Sequence, residues 1–195
     1  MQRCVKKENL IRFIHIKKNG GTSVYKYLRS QGHPFVLGEG YQYSSPGPIS
    51  NQHIYARDVE NRELQWMFCV VRNPYSRLVS FFTWCQRLPN WQEIEFSEFV
   101  KKKINTGRAK GAWNYQIDYM YDHDNNLLID KVFRFESMTK DIPQCFGYSE
   151  PMPHLNQSTI KNWRTYYNHE LATIVYEHFK VDFVKLGYDP ALNSF

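Results

Sequence analysis

Residues 11–26, Ile-Arg-Phe-Ile-His-Ile-Lys-Lys-Asn-Gly-Gly-Thr-Ser-Val-Tyr-Lys, constrain this chain more than any other stretch. Ile11 to Ile16 is a short apolar run, the pattern of a strand buried inside a parallel sheet. Lys17, Lys18 and Asn19 end it. Gly20 and Gly21 then permit a turn that a residue with a Cβ makes only at a cost. Thr22 and Ser23 fall where caps and first-turn hydroxyls of a helix belong, and Val24, Tyr25 and Leu28 begin its inward face. The order is strand, cationic glycine loop, helix N-terminus.

That order suits a phosphate-like anion. The first N–H groups of a helix have no partner inside it, and the helix dipole places partial positive charge there. Glycines let an anion approach those N–H groups, Thr22 and Ser23 add hydroxyls, and Lys18 adds a full charge. The loop is not a Walker A loop, in which the lysine follows the glycines; here it precedes them. A bare Gly-Gly would be a tight turn with solvated lysines. Two lysines, two glycines and two hydroxyls in one turn favour the anion.

A second turn of the same kind follows. Trp66 to Val71 is another buried strand, and it runs into Arg72-Asn73-Pro74-Tyr75-Ser76-Arg77-Leu78-Val79-Ser80. Asn73 suits an N-cap and Pro74 the first helical position, where its missing N–H does no harm. Leu78, Phe82 and Cys85 share one helical face and Ser80 lies on another arc. Arg72, at the strand end, can grip a phosphate bidentately, and Ser80 brings a hydroxyl. Arg77 suits an acidic partner that would shape the helix. Two such turns match a ligand with phosphate at both ends of its ribose.

Both motifs resemble those of PAPS-dependent sulfotransferases (PAPS is 3′-phosphoadenosine 5′-phosphosulfate). His15 to Ser23 is similar to the 5′-phosphosulfate loop, closest to the branch with heparan and other carbohydrate sulfotransferases, where it reads His-Ile-Pro-Lys-Thr-Gly-Gly-Thr-Ser. Lys17 and Asn19 replace the proline and the first threonine; Lys18 falls on the family lysine. Residues 72–80 resemble the 3′-phosphate motif Arg-Asn-Pro-x-x-Arg-Leu-x-Ser. The resemblance implies a binding set of Lys17, Lys18, Asn19, Gly20, Gly21, Thr22, Ser23, Arg72 and Ser80. It implies a late segment, His154 to Tyr167, that closes over the nucleotide, with Lys161 and Arg164 adding charge and Trp163 covering the adenine. It makes His53, before the second helix, the catalytic base beside Lys18; without it, His53 is a surface histidine. His154 and Glu136 are lesser candidates.

The remaining elements carry less chemistry. Phe35-Val36-Leu37 suits a short strand, and residues 38–51, with Gly38, Gly40, Pro46, Gly47 and Pro48, a long flap-like loop. A helix is expected over 56–64, another over 96–104, a strand over 127–135 and a helix over 137–145. Lys101, Lys102, Lys103, Arg108 and Lys110 form a basic stretch best explained as a solvated face. Asp122-His123-Asp124-Asn125-Asn126 suits a turn rather than a metal site. Cys4, Cys69, Cys85 and Cys145 make no paired motif.

A chain of 195 residues with 42% hydrophobic residues fits one globular domain, expected over 1–195. The net charge of +6 favours anionic partners. The expected fold is α/β, a mostly parallel sheet flanked by helices, P-loop-like as in sulfotransferases. The implied function is sulfuryl transfer from PAPS, as co-substrate and without a metal, to a hydroxyl or amine, with a glycan acceptor favoured by the branch. Neither a nucleic-acid partner nor membrane insertion is expected. With no signal sequence visible and no run of ~18 apolar residues, the expected setting is cytoplasmic, or that of a Golgi-type catalytic domain without its anchor. The rivals are a nucleotide kinase or NTPase, a nucleic-acid binder, and a PAPS-binding protein that transfers nothing.

Overall fold

The computed structural model describes residues 10–32, 35–37, 41–42, 53–105, 114–153, 155 and 162–192. Its α/β architecture contains a five-stranded sheet in the order β3-β2-β1-β4-β5. β1 (Leu10–Ile14) pairs in parallel with β2 (Phe35–Leu37) on one side and β4 (Gln65–Val71) on the other. β5 (Lys131–Arg134) extends the sheet in parallel beyond β4, and β3 (Tyr41–Gln42) adds an antiparallel edge to β2. Four parallel strands flanked by helices agree with the expectation.

The chain forms two compact units, one from residues 1–71 and 118–156, the other from 72–117 and 157–195. The first contains the sheet. Alternation along the strands sends Ile11, Phe13, Phe68, Val70 and Phe133 to one face. There they join Val24, Tyr27 and Leu28 of α1 (Gly21–Ser30) and Met138, Ile142, Cys145 and Phe146 of α4 (Met138–Phe146). Phe68 anchors this layer, stacked on Phe13 at 4.9 Å and edge-on to Phe133 at 5.8 Å. Each such ring contributes about 1.5–3 kcal/mol by leaving water. The residues between them, Ile14, Met67, Cys69 and Val71, are buried as well. This double burial is why β1 and β4 read as continuous apolar runs.

The second unit is helical: α2 (Pro74–Cys85), α3 (Phe96–Asn105) and α5 (His169–Leu186) pack on one another. The Asn73 side chain caps α2 by accepting from the Tyr75 and Ser76 amides at 3.0 and 3.4 Å. Leu78, Phe82 and Cys85 are buried as their spacing predicts, and Phe82 meets Phe96 and Phe99 at 5.3 and 5.2 Å. Lys102 pairs with Glu98 at 2.7 Å and Lys101 with Glu170 at 3.9 Å, both exposed, in keeping with a solvated face. Lys103 lies in α3; Arg108 and Lys110 lie outside the described residues.

Several boundaries depart from expectation. β1 ends at Ile14 rather than Ile16, because the His15 carbonyl bonds a side chain and leaves the ladder. No helix spans 56–64. Two single 3₁₀ turns, Ala56–Asp58 and Arg62–Leu64, stand there, separated by an extended Val59 and by Asn61 at φ 49°. A left-handed residue in mid-segment interrupts a right-handed helix. The strand expected over 127–135 shrinks to 131–134, since Leu127 instead bridges Tyr121 across a turn in which Asp122 accepts from the Asn126 amide at 2.7 Å. That turn is the one expected at 122–126. Among the described residues no helix is long and apolar enough to cross a membrane.

Candidate active site

The strand order creates a switch point. From β1 the chain passes through α1 to β2 on one side; from β4 it reaches β5 on the other. Ligands of open α/β sheets bind where the strand order reverses, outside the carboxyl ends. Here that place lies at the carboxyl ends of the paired strands β1 and β4, and residues 15–20 begin there.

The loop is pinned from below. Asn19 is buried, and its Nδ2 donates to the Val70 carbonyl at 2.7 Å, tying the loop to β4. Asn19 thus braces the loop through its side-chain amide. Lys18 sits at φ 69° and Gly20 at φ 77°. A left-handed lysine is uncommon, and such strain gathers at functional sites. At Gly20 the positive φ is what favours glycine; a Cβ there would also meet the movable terminal methyl of Met138 at 2.6 Å.

Gly20, not Thr22 or Ser23, is the N-cap of α1. Its carbonyl accepts from the Ser23 and Val24 amides at 2.9 and 3.2 Å. The Gly21 and Thr22 amides, whose acceptors would lie outside the helix, point off its end. Thr22 is exposed, whereas the buried Ser23 hydroxyl donates to the Leu155 carbonyl at 3.1 Å and accepts from the Leu155 amide at 3.0 Å. Ser23 therefore ties the late segment to α1, with its one proton engaged.

His53 completes this corner. Its Nδ1 lies 2.8 Å from the His15 carbonyl, and its ring is 4.4 Å from the His15 ring. A carbonyl only accepts, so Nδ1 carries the proton and Nε2 carries the lone pair. Burial lowers the His53 pKa below the usual histidine value; the His15 bond opposes this, and the Lys17 charge adds to it. The ring is therefore neutral near pH 7, with a basic Nε2. His15, stacked on Phe13 at 5.5 Å, is pressed against Gly21, where a Cβ would lie 1.8 Å from its Nε2.

Within the helical unit, Arg72 immediately precedes Asn73, the N-cap of α2. Its Nε donates to Ser76 Oγ at 2.9 Å, and that hydroxyl donates to the Asn73 carbonyl at 3.1 Å. The Arg72 amide donates to Gln116 Oε1 at 2.9 Å, and its carbonyl accepts from Gln116 Nε2 at 2.8 Å. Ser80 is half-buried in α2. Arg77 is buried and donates to the Asn114 carbonyl at 2.8 Å, close enough to Asp182 for its charge to favour that carboxylate. The acidic neighbour expected of Arg77 is thus Asp182.

The late segment holds a smaller surprise. Trp163 stacks on Tyr75 at 5.9 Å, while Arg164 lies over the Trp163 ring at 4.4 Å and donates to the Leu192 carbonyl at 3.0 Å. Both thus pack on protein groups. Lys161 and His154 lie outside the described residues; Glu136 is exposed in the turn before α4. Gln116 escaped sequence reasoning altogether, and Asp182 and the His15 carbonyl were passed over as site groups.

A model of the Sulfotransferase family matches residues 2–189, and the chain belongs to that family. Its membership supports sulfotransfer as the class of activity. A mouse sulfotransferase, SULT7A1 complexed with PAP, shares the fold: 13% identity, TM-score 0.50, over 94% of this chain and 89% of that one. A sulfotransferase from Alicyclobacillus acidocaldarius aligns over 93% of this chain and 96% of its own, at 14% identity and TM-score 0.49. No curated protein sequence matches.

Proposed function

We propose that the chain moves a sulfuryl group from PAPS to a hydroxyl, or amine, of a carbohydrate acceptor. His53 carries this reading: burial lowers its pKa, which favours the neutral ring, and its Nδ1 is fixed to His15, the residue at which the cationic loop begins. In the transfer the acceptor oxygen bonds to sulfur as the sulfur bond to the bridging phosphate oxygen breaks. His53 Nε2 takes the acceptor proton, a role that neutral imidazole suits near pH 7. Lys18 and the Gly21 and Thr22 amides offset charge growing on the bridging oxygen, which departs with the bisphosphate.

The remaining assignments follow the chemistry of the side chains. Lys17, Lys18, Gly20, Gly21 and Thr22 hold the 5′ end, with Asn19 and Ser23 bracing the loop. Arg72 and Ser80 hold the 3′-phosphate, a task for which a guanidinium is well shaped. Lys161, Trp163 and Arg164 cover the nucleotide once it is bound. The PAP named in the mouse neighbour supports an adenosine bisphosphate product, and the similarity of the 15–23 loop to the carbohydrate branch supports a glycan acceptor.

The test is transfer of labelled sulfate from PAPS to a panel of glycans, phenols and peptides. Label on a glycan, abolished in His53→Ala, is the expected result. Label on a phenol or peptide alone would overturn the acceptor class, and no label with any acceptor would overturn the activity.

A further inference from the structure

Arg72 can discriminate a phosphate only if its backbone, and so its reach, is fixed. It lies between the end of β4 at Val71 and the α2 cap at Asn73, in neither the strand nor the helix. Gln116 supplies what is missing. Its side-chain amide meets the Arg72 peptide groups on both sides, accepting from the amide at 2.9 Å and donating to the carbonyl at 2.8 Å. This two-point grip imitates a strand partner, using one side chain in place of a neighbouring strand.

Gln116 is itself immobilised. It is fully buried, and its backbone N–H donates to both Asp182 oxygens at 2.9 Å; the next backbone N–H, that of Ile117, donates to Asp182 Oδ1 at 3.2 Å. Asp182 in turn is buried near Arg77, which α2 holds in place. α5, the 114–117 segment and α2 thereby converge on one arginine backbone. An amide this deeply buried, with both ends satisfied by one residue, holds a single geometry, since any shift leaves a desolvated polar group without a partner.

We propose that Gln116 is the positioning residue of Arg72 and thereby sets the preference of the site for a 3′-phosphorylated nucleotide. The inference rests on the reading of Arg72 as the 3′-phosphate ligand. Gln116 touches no nucleotide; it acts by holding the arginine where its fork meets the phosphate.

Calorimetric titration with adenosine 3′,5′-bisphosphate and with adenosine 5′-monophosphate isolates the 3′-phosphate, the one group that differs. Gln116→Met fills similar volume and makes neither bond; Gln116→Asn, one methylene shorter, serves the same test if the methionine variant fails to fold. Expected is a rise in bisphosphate Kd of about tenfold, the scale of one lost well-placed bond, with the monophosphate Kd within about twofold of wild type. Arg72→Ala should lose at least as much discrimination. Unchanged discrimination in the Gln116 variants, or equal weakening of both ligands, overturns the positioning role. Full discrimination in Arg72→Ala overturns the underlying assignment of Arg72, and the inference with it.

Discussion

His53 and His15 are joined by a single 2.8 Å hydrogen bond, from the Nδ1–H of one to the carbonyl oxygen of the other. The bond decides the His53 tautomer and couples its ring to the loop that starts at His15. His53→Ala should therefore lower turnover by about 10²–10⁴-fold, the usual contribution of a general base. Affinity for adenosine bisphosphate should change little, since the amides and cations of the loop remain. Initial rates with calorimetry on the same preparation check both halves.

The pH profile follows from the charge state of His53. Burial, and secondarily Lys17, lower its pKa from 6.5. A base works unprotonated, so turnover should fall on the acid side only below pH 6.5. Lys17→Gln removes a nearby positive charge and should move that limb upward. An acid limb that does not respond to Lys17→Gln would mean that another group sets it.

Gly21 and His15 should be coupled in stability. A Cβ at Gly21 would lie 1.8 Å from His15 Nε2, so Gly21→Ala must displace the ring. The expected cost is about 1–3 kcal/mol, the range for overpacking. With His15→Ala the clash disappears, and the double variant should be more stable than the sum of the single effects predicts. Urea denaturation of the four proteins measures the coupling.

Asp182 predicts a stability trend of unusual sign. Burial raises its pKa from 3.8 to about 6, against the opposing pull of Arg77 and the Gln116 and Ile117 amides. An acid whose folded pKa is raised contributes stability that is fully present below pH ~4 and lost as pH climbs through ~6. The swing is on the order of 3 kcal/mol. Asp182→Asn cannot titrate, so the stability gap between wild type and variant should change by that order from pH 4 to pH 7. Urea titrations across that range would show it, and a constant gap would mean that Asp182 keeps one charge state throughout.

What could be read from residues alone was what local chemistry decides. The apolar runs of β1 and β4 stand out because both faces are buried, and the start of α2 stands out because Asn73 and Pro74 act within one turn. The segment at 56–64 misled because its composition suits a helix while Asn61 takes a left-handed turn, a choice no periodicity reveals. Asn19 has the look of a loop ligand, yet its amide turns inward to Val70, a partner 51 positions away. Gln116 was invisible for the same reason. It is a lone glutamine among aromatics, and its meaning comes only from Arg72, 44 residues earlier, and Asp182, 66 later.

On the proposed function, the lysine-glycine loop and Arg72 serve one adenosine carrying phosphate at both ends. Competition calorimetry in EDTA, with adenosine 3′,5′-bisphosphate against ATP, tests it most directly. Tighter binding of the bisphosphate is expected, unchanged when magnesium replaces EDTA and weakened separately by Lys18→Ala and by Arg72→Ala. Tighter binding of ATP, dependent on magnesium and indifferent to Arg72, would contradict it.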